Sequence, residues 1–359
     1  RVGLTTLDSY SGVDFWKLYH ETGIFSYLEN PYVSAFTPPD SPRRRLLIQP
    51  VSLWHPDRFC ADERLLGVRI RNLPWKVLLL GARGFGYYEE YFFMPPFTPF
   101  QPILNADLTS SDRIRTLAAA VGQIRGGLNH FLVDSRMSDS GIALLYSRAS
   151  EHAATAWQAS QTNRLAERIS PPDQMGFYSK ALNALGYSFT AVSDDQAAAG
   201  ALAAGGYRLL VLPFAQAIST GAVEQIRTFV RGGGCLLADI RPGLGDLHGV
   251  AGAAGLLDDV FGVRHKTELA AYEPIEDVAE TEGGPVRIIG GPAVALDGAR
   301  PGAAGRASAR PLFLEHRFGQ GRAWLMNCVF AEPDEAALEK TGALLAAAGL
   351  QPLFSVEAP

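Results

Sequence analysis

Cysteine is scarce in this sequence of 359 residues. The three cysteines, Cys60, Cys235 and Cys328, lie far apart and are odd in number, so they do not form the closely spaced pairs of a disulfide framework. Cys235 and Cys328 lie in apolar runs that resemble strands, where we expect buried free thiols. Free thiols are typical of a reducing compartment, and we therefore predict a cytoplasmic protein.

Long apolar runs and long basic clusters are missing as well. No run reaches the roughly 18 apolar residues that a membrane-spanning helix needs, so we predict no membrane partner. The net charge is −5, and the cluster Arg43–Arg45 directly precedes a strand pattern. We interpret this cluster as a solvated strand edge and predict no nucleic-acid partner.

Motifs for metals and nucleotides are also absent from the sequence. The seven histidines are scattered, and no His, Cys, Asp or Glu cluster has the spacing of a zinc site. The glycines of "GARGFG" (Gly81 to Gly86) precede a strand pattern, whereas a phosphate-binding loop follows a strand and begins a helix. We therefore predict neither a metal nor a cofactor.

The most regular pattern in the chain runs from Ile142 to Val263. The apolar runs "GIALLYS", "YRLLVLPF" and "CLLADI" alternate with helical stretches such as "TGAVEQIRTFVRGGG". Such runs are typical of parallel strands buried on both faces and joined by helical crossovers. Sites in parallel sheets lie at the carboxyl ends of the strands, here Ser147, Pro213–Gln216 and Asp239–Pro242, yet few chemically reactive side chains occur there.

The segments on either side have a different character, and the length predicts two or three domains. We predict a first domain over residues 1–140, the parallel-sheet domain over 141–264, and a β-rich region with a final helix over 265–359. In the first domain, Ser110 or Ser111 can cap a helix whose apolar face comprises Ile114, Leu117, Val121, Ile124 and Leu128. In the last region, Gly319 and Gly321 mark a hairpin. The chain begins at Arg1 with a strand-like run, so we expect a processed or partial chain.

The middle segment resembles the β-galactosidase trimerisation domain of family 42 glycoside hydrolases, which has a class I glutamine amidotransferase-like fold. The shared pattern is a strand that ends in Pro213, a helix that ends in Phe229 and Val230, a turn at Gly233–Gly234, and the dipeptide Gly262-Val263. The resemblance implies an α/β chain: a partial (β/α)8-barrel-like segment, then a flavodoxin-like parallel sheet, then a small β-rich region.

The same resemblance implies where a sugar site would lie. "RRLLIQPVSLW" falls at the seventh barrel strand, where the family carries its nucleophilic Glu followed by a Trp; this chain has Trp54, but Gln49 in place of the Glu. The general acid of the family would precede Arg1. Retaining hydrolysis needs two carboxyl groups about 5 Å apart, so we predict that this chain lacks the complete catalytic pair.

The remaining candidates surround the expected barrel mouth. Glu89 and Glu90 lie in an aromatic strand pattern, and we predict them as catalytic carboxylates; the alternative is a pair of strand-end carboxylates that bind Arg83 or solvent. The predicted sugar-binding residues are Asp8, Gln49, Trp54, Tyr87 and Tyr88. An amidotransferase-like Cys235–His248 pair is a weaker alternative, because Cys235 begins a strand pattern and a nucleophile elbow follows one.

Two functions remain open from the sequence. The first is a β-galactosidase-like glycoside hydrolase that acts on a carbohydrate. The second is a non-catalytic carbohydrate-binding or oligomerisation module. In either case we expect a homo-oligomer, such as a trimer, or a partner chain that completes the barrel, because a half barrel exposes strand edges.

Overall fold

The computed structural model describes residues 48–52, 67–68, 70–72, 74–75, 84–88, 107, 109–128, 130–131, 138–160, 162–265, 272–281, 284–330 and 334–354. These residues divide into two compact units, one before residue 138 and one from residue 138 onward. Each unit is described by itself.

Among its described residues, the first unit contains a parallel strand pair, a helix that follows Ser111 and helical residues within 67–75. Strand β1 (Ile48–Ser52) pairs in parallel with β2 (Gly84–Tyr88), with Gln49 opposite Phe85 and Ser52 opposite Tyr88. These strands coincide with two of the strand patterns in the sequence.

Helix α1 (Asp112–Gln123) begins at Ser111, whose hydroxyl accepts a hydrogen bond from the Ile114 N–H. This confirms one of the two predicted caps. Leu117 and Ile124 are buried on the predicted apolar face, but Leu128 is exposed. The prediction fails there because the chain passes into a π-helical turn over Ile124–Leu128, in which Gly127 has φ 130°.

The second unit is built on a six-stranded sheet. Its strands are β3 (Ile142–Tyr146), β4 (Thr190–Ser193), β5 (Leu209–Leu212), β6 (Cys235–Ala238), β13 (Leu314–Phe318) and β14 (Gly321–Leu325). The order across the sheet is β13-β14-β6-β5-β3-β4, and every neighbouring pair is parallel except β13 with β14. The sequence pattern predicted β3, β5 and β6, and the short edge strand β4 was missed.

The described residues of the second unit include seven α-helices. They are α2 (Arg148–Ala159), α3 (Pro171–Ala184), α4 (Asp194–Ala198), α5 (Ala201–Ala204), α6 (Thr220–Arg231), α7 (Asp258–Phe261) and α8 (Glu335–Ala347). Helix α6 begins at Ser219 and places Val223, Ile226 and Val230 at helical spacing in the main core. In β3 all five residues are buried, as expected for a strand that is covered on both faces.

The remaining strands pair with one another in antiparallel fashion. They are β7 (Val263–His265), β8 (Ile275–Thr281), β9 (Gly284–Gly290), β10 (Val294–Leu296), β11 (Ala303–Ala304), β12 (Pro311–Leu312) and β15 (Cys328–Phe330). Strands β8, β9 and β15 form an antiparallel sheet, whereas β7 pairs with β10 and β11 with β12. The hairpin β13–β14 turns at Gly319, which has φ 62°, and this confirms the predicted turn.

The sequence predicted a domain boundary at residue 264. Strands β3 to β6 precede this residue and strands β13 and β14 follow it, yet all six belong to one sheet. The predicted division into domains stays a prediction. Within the described ranges, no helix has both the length and the apolar composition to cross a membrane.

Candidate functional site

Two serines at the carboxyl edge of the sheet form hydrogen bonds with the segment that follows β5. Ser147 follows β3 and caps α2: its hydroxyl accepts from the Ser150 N–H at 3.1 Å and donates to the Ala217 carbonyl at 2.5 Å. The Ser150 hydroxyl donates to the same carbonyl and accepts from the Ala217 N–H. Both serines are buried, so their hydroxyl groups bind the segment after β5 rather than face solvent.

Asp239 follows β6 and is completely buried. Its carboxyl group accepts hydrogen bonds from the Phe214 N–H at 2.8 Å and the Ile240 N–H at 2.6 Å. Burial raises the pKa of Asp239 to about 8, although the hydrogen bonds from Ile240 and Phe214 act in the opposite direction. This carboxyl group therefore holds the ends of β5 and β6 together and has no surface with which to meet a substrate.

Arg241 is the largest fully buried side chain of the described residues. Its Cζ atom lies 4.9 Å from the ring centre of Trp157 and 5.1 Å from that of Tyr272. The two rings stack at 5.5 Å with an interplanar angle of 16°. Burial lowers the pKa of Arg241 to about 10, so the guanidinium stays charged at neutral pH and is stabilised by the two ring faces.

Tyr178 and Cys328 complete this buried polar region. Burial raises the pKa of the Tyr178 hydroxyl well above its ordinary value, and Asp239 and Cys328 add to the effect. Burial likewise raises the pKa of the Cys328 thiol, and Asp239 contributes. The thiol is free and buried in β15, which confirms the sequence prediction for this cysteine.

The geometry gives no support to amidotransferase-like chemistry. A nucleophile elbow places a strained residue just after a strand. The residues with positive φ after β5 and β6 are Phe214 (φ 42°) and Arg241 (φ 55°), and neither side chain is a nucleophile. Cys235 begins β6, whereas His248 lies in the loop after its other end. The two ends of a four-residue strand lie about 10 Å apart.

A surface cavity of about 500 Å³ lies at the opposite, amino-terminal edge of the sheet, where Arg208, Phe229 and Cys235 line it. Burial raises the pKa of the Cys235 thiol, although Arg322 and Arg208 act against this. Arg208 donates a hydrogen bond to the Gly349 carbonyl. The thiol is therefore a half-buried structural group rather than an activated nucleophile.

Two further acidic residues organise loops. The Asp258 carboxylate lies 2.6 Å from Nδ1 of His265 and also accepts from the His265 N–H, which closes the turn after α7. Asp277 accepts hydrogen bonds from the N–H groups of Ala307 and Ser308. Among the residues that the structure describes, no three His, Cys, Asp or Glu side chains form a group that could hold a metal ion.

Three of the predicted sugar-site residues lie in the described part of the first unit. Gln49 lies in β1, and Tyr87 and Tyr88 lie in the parallel neighbour β2, where Tyr87 is the register partner of Val51. The structure therefore places these three positions on adjacent strands. Asp8, Trp54, Glu89 and Glu90 lie outside the described residues.

Sequence reasoning missed the cluster of Arg241, Trp157 and Tyr272. An arginine directly after a buried strand would ordinarily be assigned to the surface. The only signal was its place in "CLLADIRPG", at the carboxyl end of a predicted strand.

Solved structures of β-galactosidases resemble this chain. The enzyme from Bacillus circulans sp. alkalophilus has a TM-score of 0.68 at 16% identity over 87% of this chain and 46% of its own. The cold-adapted enzyme from Rahnella sp. R3 has a TM-score of 0.66 at 19% identity over 86% and 45%. The family 42 enzyme Gan42B from G. stearothermophilus has a TM-score of 0.66 at 14% identity over 91% and 47%.

At these identities the likeness concerns the fold, and the chain spans less than half the length of each enzyme. Curated protein sequences contain no significant match to the chain. The family model of the β-galactosidase trimerisation domain matches residues 140–350, more than half of the chain. The chain therefore belongs to the family of the trimerisation domain of family 42 β-galactosidases.

Proposed function

We propose that this chain is part of a β-galactosidase-like glycoside hydrolase and that the unit from residue 138 onward assembles copies of the protein rather than carrying out chemistry. The observation that carries the proposal is the fate of the polar groups at the carboxyl edge of the sheet. Ser147, Ser150, Asp239 and Arg241 are all buried, and the two serines and Asp239 hydrogen bond to the backbone of the unit itself.

Glycoside hydrolysis argues for the same division of roles. The reaction needs two carboxyl groups on either side of a sugar bond. Asp239 carries the carboxyl group at the ends of β5 and β6, and this group is shut off from solvent. Chemistry would therefore reside in another part of the protein, and the family match to a trimerisation domain over residues 140–350 agrees with an assembly role.

For the first unit we propose the end of a (β/α)8 barrel. The parallel pairing of β1 with β2 supports this, because the family resemblance makes them the seventh and eighth barrel strands. In this proposal Glu89 and Glu90 are the candidate catalytic carboxylates of a chain that lacks the complete pair, and Asp8, Gln49, Trp54, Tyr87 and Tyr88 contact the sugar. For the second unit, the order β4-β3-β5-β6 supports a flavodoxin-like arrangement.

A non-catalytic carbohydrate-binding or oligomerisation module is the second candidate. It is favoured by Gln49, an amide at the place where the family resemblance puts the nucleophilic Glu. An amide cannot form the glycosyl ester that retaining hydrolysis requires.

Two measurements test these proposals. The first is hydrolysis of nitrophenyl β-galactoside and a panel of other nitrophenyl glycosides by the purified chain, with Glu89→Gln and Glu90→Gln as variants. We expect no turnover, and turnover that one variant abolishes would show that the chain carries a working catalytic carboxylate. The second is the mass in solution by light scattering, for which we expect an assembly of several copies; a monomer at all concentrations would contradict the assembly role.

A further inference from the structure

An uncharged, apolar loop follows the carboxyl end of β6. We name residues Leu247–Ala254 the apolar tongue. Between Asp246 and Asp258 the chain has no Asp, Glu, Lys or Arg. Leu247 is 50% exposed and Val250 is 63% exposed. His248, Ala253 and Ala254 are exposed as well.

The base of the tongue has a fixed conformation. The Asp246 carboxylate accepts hydrogen bonds from the N–H groups of His248 at 2.8 Å and Val250 at 3.0 Å. The backbone of Asp246 bonds to Val250 in one direction and to Gly249 in the other. These hydrogen bonds keep the pKa of Asp246 below its ordinary value, so the carboxylate remains charged and bonded at neutral pH.

The tongue is also tied to the sheet and to α2. The Gly245 N–H donates to the Gln216 carbonyl, and the Ile218 N–H donates to the Gly245 carbonyl. At Gly249, a Cβ atom would lie 3.1 Å from Cβ of Ala153 in α2, so the turn packs closely on that helix. Leu247 and Val250 are therefore presented to solvent by a rigid support, and little conformational entropy would be lost when they bind.

Contiguous exposed apolar surface is typical of contact sites, and the exposed Leu247, Val250, Ala253 and Ala254 all lie within this one loop. A second copy of this chain fits the surface best, for two reasons. The tongue lies inside the segment that matches a trimerisation domain. It also carries no Asp, Glu, Lys or Arg, so identical tongues can approach one another or a neighbouring surface without like-charge repulsion.

We propose that the apolar tongue is buried between copies of this chain, with Leu247 and Val250 as its central contacts. This inference rests on the proposed assembly function and identifies the surface through which the copies would bind. In a three-fold ring each copy uses two different surfaces, so the tongue of one copy meets a different patch on the next unless it lies at the axis.

The test is the dissociation of the assembly on dilution, measured by light scattering and sedimentation for the full chain and three variants. Val250→Glu places a charge in the contact, and Leu247→Ser removes apolar surface. Leu296→Glu is the matched control, because Leu296 is 44% exposed in β10 and does not belong to the tongue. We expect both tongue variants to raise the concentration of half dissociation by about 30-fold or more and the control to leave it unchanged.

The results distinguish a failure of the tongue contact from a failure of the proposed assembly role. Far-UV circular dichroism confirms that each variant is folded. If the unaltered chain assembles and the folded tongue variants dissociate at the same concentration as it does, the tongue is not the contact, and the assembly role stands. If the unaltered chain is a monomer at all concentrations, the assembly role and the inference both fail. If Leu296→Glu raised the concentration of half dissociation as much as the tongue variants do, the inference would also be overturned, because the effect would not be specific to the tongue.

Discussion

The guanidinium of Arg241 lies 4.9 Å from the ring centre of Trp157, and both side chains are buried at the carboxyl edge of the sheet. In many parallel-sheet proteins this edge binds a ligand. Here the Arg241 cation contacts the Trp157 ring instead of a ligand, because a buried charge needs a compensating partner. The edge has thus become part of the core, and this favours a structural role for the unit.

The Arg241–Trp157 contact should stabilise the fold measurably. We expect a double-mutant cycle with Arg241→Met and Trp157→Leu to give a coupling energy of at least about 1 kcal/mol, because the ring faces a desolvated cation. Urea unfolding of the four proteins measures this energy. Additive effects of the two substitutions would mean that the contact contributes nothing specific.

The pKa of Asp239 predicts an unusual dependence of stability on pH. Its pKa is about 8 in the folded protein and about 4 in an unfolded chain. The folded state therefore binds more protons than the unfolded state between these values, so stability falls as pH rises from about 4 to about 8. Asp239→Asn is uncharged at every pH and should lack this decline.

Urea unfolding of both proteins at pH 5, 7 and 9 tests this prediction. We expect the difference in unfolding free energy to move in favour of Asp239→Asn as the pH increases. Parallel pH profiles for the two proteins would contradict a buried carboxyl group that holds its proton.

The sequence was sufficient for elements whose signals are local. The apolar runs predicted β3, β5 and β6, the stretch that begins at Thr220 predicted α6, and Gly319 lies at the predicted hairpin turn. Strand β4 was missed because its two end residues are polar and only partly buried, so it lacks the continuous apolar run of β5. A short strand of this kind has no clear alternation.

Long-range pairing and the buried cluster could not be predicted. Strand β14 pairs with β6 although more than 80 residues separate them in the chain, and no local pattern encodes such a partner. Arg241 is buried and its backbone adopts a positive φ, a conformation that is uncommon for residues other than glycine and that no local pattern predicted.

The contribution of Asp277 to stability should have the opposite dependence on pH. Partial burial tends to raise its pKa, but hydrogen bonds from Ala307 and Ser308 outweigh this and lower the pKa to about 2. A carboxyl group with a lowered folded pKa contributes stability above its unfolded value, and that contribution is lost as pH falls from about 4 to about 2.

Asp277→Ala tests this loop contact. We expect a loss of about 2 kcal/mol at pH 7, because two backbone N–H groups lose a charged acceptor. The loss should shrink as the pH approaches 2, where the Asp277 carboxyl group takes up a proton. Urea unfolding at pH 7, 4 and 2.5 measures the change, and a loss that is constant with pH would argue against a charged Asp277.

A comparison of Gly262 with Gly206 separates two costs of adding a Cβ atom, the strain of a left-handed backbone and the crowding by neighbouring atoms. It ends α7 with φ 62°, and a Cβ atom there would lie 2.6 Å from the His316 ring and 2.8 Å from the Ala299 nitrogen. Gly206 has a similar φ of 65°, but a Cβ atom there would meet nothing within 4 Å. Gly206→Ala should therefore cost about 1 kcal/mol for the left-handed backbone alone. Gly262→Ala should cost a further 1–3 kcal/mol, roughly, because His316 and the backbone must shift. Urea unfolding of the two variants compares these costs directly, and equal losses would mean that the close packing of Gly262 against β13 contributes nothing to stability.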